Sequence, residues 1–119
     1  MVKSYNDLIV LNKAIDLVTQ VYRVTQKFPK DELFGLTNQI GRAAISIPSN
    51  IAVGRGRLTK GEFKLFLGHA RGSLAELETE IVIAKNLGYL DDIEGNKLLN
   101  KIAEWGRLLN VLLSSIKKQ

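Results

Sequence analysis

The chain has 119 residues, no cysteine and no apolar segment long enough for a signal sequence or a membrane span, so residues 1–119 are predicted to form one cytoplasmic domain without a membrane partner. The lack of cysteine excludes disulfides and thiolate metal sites. Seventeen Lys and Arg against twelve Asp and Glu give a net charge of +5 and a pI of about 9.6, which favours a polyanionic partner.

The first predicted helix extends from about Asp7 to Lys27 and ends before Phe28-Pro29, because proline disfavours helical geometry in the preceding residue. Its apolar residues form two seams, so the apolar face is wider than the core of one four-helix bundle requires. This excess favours a second packing partner. One seam contains Leu8, Leu11, Ile15, Val18 and Tyr22, and the other contains Val10, Ala14, Leu17, Val21, Val24 and Phe28.

The second predicted helix begins between Asp31 and Thr37 and ends in the glycines around Gly54 and Gly56. Pro48 in its middle removes one backbone hydrogen bond and crowds the Ala44 carbonyl, which costs about 3 kcal/mol and predicts a kink. Ser49, Asn50 or water are the candidate donors to the freed carbonyl. A row of small polar side chains beside the core face suggests an interface, although it could simply be the outer face of the helix. The candidates for an interface or a kink are Gln39, Ser46, Pro48, Ser49 and Asn50, together with Trp105 on the fourth helix.

The third predicted helix starts at a capping box, Thr59-Lys60-Gly61-Glu62, and ends at Leu87-Gly88, where glycine can adopt the left-handed conformation. Asp91 or Asp92 caps the fourth helix. Helices of about 20 residues joined by short connections must return antiparallel. The sequence therefore predicts an all-α fold, an antiparallel up-down-up-down four-helix bundle with its second helix kinked at Pro48.

The fourth helix repeats the apolar excess of the first. Exposed in a monomer, such patches would promote aggregation, so self-association is favoured over the alternative of a tightly packed bundle. One seam holds Leu98, Ile102, Trp105, Leu109, Leu112 and Ile116, and the arc is widened by Leu99, Leu108, Val111 and Leu113.

Residues suited to catalysis are few. His69 is the only histidine, and no glutamate has a histidine three residues later, which excludes the usual di-iron pattern of helical bundles. Glu76, Glu78 and Glu80 form an acidic cluster that could hold paired carboxylates but fits a solvated or ion-paired helix face better. We therefore expect no enzymatic activity, no cofactor and no metal site.

Basic residues gather after the second helix. The run Gly54-Arg55-Gly56-Arg57 lacks the strand and the Gly-Lys-Ser/Thr end of a phosphate-binding loop and is interpreted as a turn. A phosphate-contacting patch and a merely solvated turn fit these charges equally well. The alternative function is a protein-interaction or scaffold module without nucleic-acid binding. The candidate contacts to RNA or DNA are Arg42, Arg55, Arg57, Lys60 and Lys64.

Several runs resemble the bacterial four-helix bundle proteins first met as reading frames in intervening sequences of large-subunit ribosomal RNA genes and once labelled ribosomal proteins. The resemblance covers nearly the whole chain, and its most specific run is Ser46-Ile47-Pro48-Ser49-Asn50-Ile51-Ala52. The other runs are Tyr5-x-Asp7-Leu8, Phe28-Pro29-Lys30-x-Glu32, Gly35-Leu36-Thr37-x-Gln39-Ile40, Gly72-Ser73-Leu74-x-Glu76-Leu77-Glu78-Thr79 and Leu87-Gly88-Tyr89-Leu90.

The resemblance implies a cytoplasmic bundle that assembles as a homopentameric ring and carries no catalytic residues. Such proteins are similar in shape to the accessory proteins of diversity-generating retroelements, which bind nucleic acid and a reverse transcriptase. Two positions depart from the family pattern: Gly41 stands where a second Arg is usual, and Val53 stands where Glu is usual.

Overall fold

Four α-helices make up most of the chain, and the computed structural model describes residues 5–117. No strand occurs in that range, so the all-α prediction is confirmed. The first helix begins and ends about two residues before its predicted bounds. The elements are α1 (Tyr5–Thr25), a short 3₁₀ turn (Lys30–Glu32), α2 (Leu36–Arg55), α3 (Lys60–Asn86) and α4 (Asp92–Lys117).

The helices pack in chain order around one core. α1 contacts α2, α2 contacts α3, α3 contacts α4, and α4 closes the ring on α1, whereas no diagonal pair makes a close backbone contact within residues 5–117. This neighbour order and the short connections fit an up-down-up-down bundle. The body is elongated, with extents of 45 × 25 × 18 Å. None of the described helices is long and apolar enough to cross a bilayer.

Side-chain caps start α3 and α4 as the sequence predicts. The Thr59 hydroxyl oxygen accepts a hydrogen bond from the Glu62 amide at 3.1 Å, and the Glu62 carboxylate accepts one from that hydroxyl at 3.2 Å. Asp91 is the cap of α4, because its carboxylate accepts a hydrogen bond from the Glu94 amide at 2.7 Å. Each cap satisfies a helical amide that has no partner within its own helix.

The connections at one end of the bundle are tied together by Glu32. Its carboxylate accepts a hydrogen bond from the Tyr89 hydroxyl at 2.7 Å and one from the Leu36 amide at 3.3 Å. The Tyr89 ring also packs on Phe28, with ring centroids 5.6 Å apart. This network joins the α1–α2 and α3–α4 connections, and it explains the roles of two of the runs that carry the family resemblance.

The core uses the second apolar seam of α1, the one that begins at Val10. Leu8, Ile15 and Tyr22 of the other seam remain between 40% and 47% exposed, so part of the predicted apolar excess on α1 faces outward. On α4 less of the predicted apolar arc faces outward. Leu113 is buried and its neighbours in the widened arc are partly buried, and Val111 alone in that arc is exposed, because α4 packs against both α1 and α3.

Replacing Gly88 and Gly72 by alanine should change stability in opposite directions. Gly88 has φ 79° and nothing within 4 Å of a Cβ built there, so an alanine pays only the left-handed backbone penalty of about 1 kcal/mol. Gly72 lies inside α3 with the same open surroundings, so alanine there should stabilise by about 0.5–1 kcal/mol. Urea unfolding of Gly88→Ala and Gly72→Ala measures both changes. Changes in the free energy of unfolding with the same sign in both variants would contradict the assigned backbone conformations.

Candidate nucleic-acid interface

The end of α2 and the start of α3 place four cations around one turn. We call Arg55, Arg57, Lys60 and Lys64 the basic turn. Residues 55–64 contain these four cations and one carboxylate, Glu62, so this stretch holds a net charge of +3 out of the protein's +5. Arg57, Lys60 and Lys64 are exposed. The sequence analysis places these charges after the second helix, and in the structure they lie around the α2–α3 connection.

Two aromatic side chains extend the basic turn along α3. The Arg57 guanidinium lies 4.8 Å from the centroid of the Phe66 ring, and Phe66 meets the exposed His69 edge-on at 5.6 Å. Glu62 lies 3.9 Å from Arg57, and both side chains are solvent-accessible, so this ion pair holds Arg57 weakly. Sequence reasoning missed Phe66 and His69 as surface partners, although they lie four and seven residues after Glu62 and so on the same side of α3.

Arg55 and Arg42 differ from the exposed cations. Arg55 is half-buried, and its Nε is buried without a hydrogen-bond partner among the described residues. Arg42 is exposed, but it lies thirteen residues before Arg55 on the same helix, or about 20 Å along the axis at the usual rise of an α-helix. One short phosphate backbone segment therefore reaches the basic turn without reaching Arg42.

The central polar candidates of α2 bond within the protein. The Ser46 and Ser73 hydroxyls lie 2.8 Å apart and join α2 to α3. The Asn50 amide donates to the Ser46 carbonyl at 2.8 Å and to the Ser46 hydroxyl at 2.9 Å. These bonds stabilise the α2–α3 contact, which is also close at Gly54, where a Cβ would lie 3.0 Å from the Phe63 ring.

Gln39 and Ser49 of the same row are exposed. α2 continues as one helix through Pro48, and the kink there stays a prediction. The Asn50 side chain, named as a donor to the Ala44 carbonyl, instead bonds to the carbonyl of Ser46, four residues before it, which its side chain reaches directly.

Trp105 is a core residue and not an interface candidate, which corrects the sequence prediction. Its side chain is 3% exposed, and its indole N–H donates to the Val10 carbonyl at 3.0 Å. This bond satisfies the one polar atom of the ring and fixes α4 against the start of α1.

The acidic cluster on α3 is split by burial. Glu76 and Glu78 are exposed, whereas Glu80 is 6% exposed, and its Oε1 has no hydrogen-bond partner in the described range. Burial, and to a lesser degree the charge of Glu76, raise the pKa of the Glu80 carboxyl above its ordinary value. Glu80 is thus mostly buried and forms no ion pair among the described residues, contrary to the sequence interpretation of this cluster. Within residues 5–117, no group of three or more His, Asp and Glu side chains could hold a metal ion.

Protonation of Glu80 should raise the free energy of unfolding as the pH falls from neutral. The Glu80 pKa is higher in the folded than in the unfolded state, so the folded state gains stability on taking up the proton. The gain is complete once the pH lies below the ordinary carboxyl pKa of the unfolded chain. Glu80→Gln should raise stability by about 1 kcal/mol at pH 7 and remove this part of the pH dependence. Urea unfolding between neutral and mildly acidic pH measures both, with the exposed Glu78→Gln as control. If the free energy of unfolding depends on pH in the same way in Glu80→Gln and in the wild type, Glu80 is not a buried, unpaired carboxylate.

Comparison with known proteins identifies relatives of the whole bundle. The model of the 23S rRNA-intervening sequence protein family matches residues 6–111. A solved protein of unknown function from the S23 ribosomal protein family of Bacteroides thetaiotaomicron VPI-5482 superimposes with a TM-score of 0.84 at 19% identity, covering 92% of this chain and 98% of that chain. That likeness supports the four-helix fold, and no curated protein sequence matches this chain. The family match spans most of the chain and carries through all four helices, so this protein belongs to the 23S rRNA-intervening sequence protein family.

Proposed function

We propose that this protein is a non-enzymatic, oligomeric, cytoplasmic protein that binds RNA or DNA through the basic turn. The observation that carries the proposal is the concentration of most of the net charge in residues 55–64, with three of the four cations exposed. Cations grouped on one surface release the counterions that surround phosphates, which is the main source of sequence-independent affinity. The family description refers to 23S rRNA, so RNA is the first ligand to test.

The aromatic extension of the basic turn supports a single-stranded ligand. Phe66 is partly exposed and His69 is exposed, and they follow Lys64 on α3 by two and five residues. Bases of an unpaired strand stack on such rings while the phosphates contact neighbouring Arg and Lys side chains. We therefore propose that single-stranded RNA binds more tightly than duplex DNA.

Assembly is supported by the exposed seam of α1. Leu8 and Ile15 of this seam are exposed, and their seven-residue spacing places them on one side of the helix. We propose that copies of the chain bury this surface against one another, with the pentamer implied by the family resemblance as the expected stoichiometry. Several basic turns in one assembly would raise the avidity for a long nucleic acid. Sedimentation mass in the micromolar range tests this step, and a mass of 13.2 kDa would contradict it.

The test of binding is a titration of labelled mixed-sequence RNA and duplex DNA with the purified protein. We expect saturable binding whose logarithmic affinity falls linearly with the logarithm of salt concentration between about 50 and 200 mM. Binding that is undetectable at low salt, or that does not change with salt, would rule out the proposed function.

The alternative is a scaffold that holds a protein partner. It is favoured by Leu33 and Phe34 in the α1–α2 connection, of which Phe34 is 92% exposed. A partner of this kind would copurify with the protein after nuclease treatment and would be lost from Phe34→Ser. Copurification that disappears with nuclease would instead support nucleic-acid binding.

A further inference from the structure

A groove open to solvent lies between the second half of α1 and the first half of α2, at the connection between them. Its volume of about 620 Å³ lies within the range of pockets that bind small organic molecules, roughly 300–1,000 Å³. Much of its lining is apolar: Phe28 is buried, whereas Tyr22, Leu33 and Ile45 are at least two-fifths exposed. Apolar side chains around such a groove gain free energy when a ligand displaces their water.

Gly41 lets the Tyr22 side chain pack against the backbone of α2 in the lining of the groove. A Cβ at this position would lie 2.9 Å from the Tyr22 hydroxyl oxygen and 3.4 Å from the ring carbon that bears it. The Tyr22 phenol therefore reaches across bare backbone, and a larger residue at position 41 would have to displace the ring or fill the space. The position of the Tyr22 ring, which lines the groove, depends on this missing side chain.

The charged side chains that line the groove are all cationic. Arg42 and Lys30 line it, and no Asp or Glu does. In residues 5–117, the Arg42 guanidinium makes no hydrogen bond or ion pair. The carboxylate of Glu32, two residues after Lys30, already accepts hydrogen bonds from Tyr89 and Leu36. A free guanidinium thus stands at the edge of an apolar groove without a competing anion in its lining.

We propose that this groove binds a small organic acid with an apolar body, of the arylalkyl carboxylate class. The carboxylate pairs with Arg42, whose planar guanidinium matches two carboxylate oxygens, and the apolar body packs on Tyr22 and Ile45. The basic turn lies about 20 Å away along α2, so this site is independent of the proposed nucleic-acid interface. Its test can fail while that function stands.

The test uses 4-phenylbutyrate and its uncharged counterpart 4-phenylbutan-1-ol, each titrated into the full-length ¹⁵N-labelled protein. We expect saturable amide shift changes at Gly41, Arg42 and Ile45 with the acid, and binding of the alcohol that is about tenfold weaker. Arg42→Gln should reduce the affinity for the acid to that for the alcohol and leave the alcohol unaffected. The matched control is Arg71→Gln, an exposed arginine of α3 that should change neither affinity.

A second variant tests the groove through its shape. Gly41→Leu should displace the Tyr22 ring that lines the groove and so abolish binding of both probes. Arg42→Gln keeps the proposal testable if that variant does not fold. Equal affinity for acid and alcohol, no saturable shift at the groove, or no effect of Arg42→Gln would overturn the proposal. Groove amides that shift with protein concentration in the absence of either probe would also overturn it, because the occupant would then be a second copy of the chain.

Discussion

Trp105→Ala should lower the free energy of unfolding by about 3–5 kcal/mol, the range for removing a buried aromatic side chain. The ring is 3% exposed in the core, and its N–H bonds to the Val10 carbonyl of α1. Alanine would leave a cavity between α1 and α4 and a buried carbonyl without its donor. Because domains of this size are stable by only about 5–15 kcal/mol, the variant should be close to unfolded at ambient temperature.

Two controls separate the parts of this effect. Trp105→Phe retains an aromatic ring and loses the hydrogen bond, so it should cost about 1–2 kcal/mol. Val111→Ala removes an exposed side chain of the same helix and should change stability by less than about 0.5 kcal/mol. Urea unfolding followed by far-ultraviolet circular dichroism measures all three, since the protein contains no other tryptophan. If Trp105→Ala instead stays stable but changes the oligomeric mass of the protein, Trp105 would be an interface residue and not a core residue.

Neutralising the exposed part of the basic turn should reduce RNA affinity by about 30-fold or more and lower the salt slope by about two, at roughly 0.7 per phosphate contact for a single strand. The variant carries Arg57→Gln, Lys60→Gln and Lys64→Gln. These side chains are exposed, and their only ion pair in the described range is the weak one between Arg57 and Glu62. The fold should therefore persist. Binding titrations at several salt concentrations measure both quantities.

The matched control removes three other exposed cations through Lys13→Gln, Arg23→Gln and Lys97→Gln. These residues lie on α1 and α4, away from the basic turn, and their loss changes the net charge by the same amount. A threefold or smaller effect is expected, because general attraction between exposed charges is screened over about 10 Å at moderate salt. Equal losses in both variants would mean that total charge, and not the basic turn, determines binding.

Helix ends were predictable because their chemistry is local. As predicted, amides at the starts of α3 and α4 donate to the side chains of Thr59 and Asp91. α3 ends before Gly88, which has the predicted left-handed conformation. The four-helix fold followed from these ends and from the apolar periodicity. The resemblance runs also marked residues that meet in space, such as Glu32 and Tyr89, although their contact joins two distant connections.

Which apolar seam of a helix faces the core could not be predicted from local sequence, unlike the helix ends. Both seams of α1 are equally apolar in sequence, and only the packing of three other helices decides that Val10 faces the core and Leu8 faces outward. For the same reason, the sequence pattern wrongly assigned Trp105 to an interface. The burial of Glu80 and the contact of Tyr22 with Gly41 depend on the register between helices, which periodicity within one helix does not contain.

The most direct test of the nucleic-acid proposal is to map where RNA contacts the protein. RNA containing 4-thiouridine is bound at low salt and photo-crosslinked, and the attached peptides are identified by mass spectrometry. The proposal predicts crosslinks within residues 55–69, on the basic turn and at Phe66 or His69, that disappear as the salt concentration rises. Crosslinks confined to α1 or α4, or no crosslinks at low salt, would contradict it.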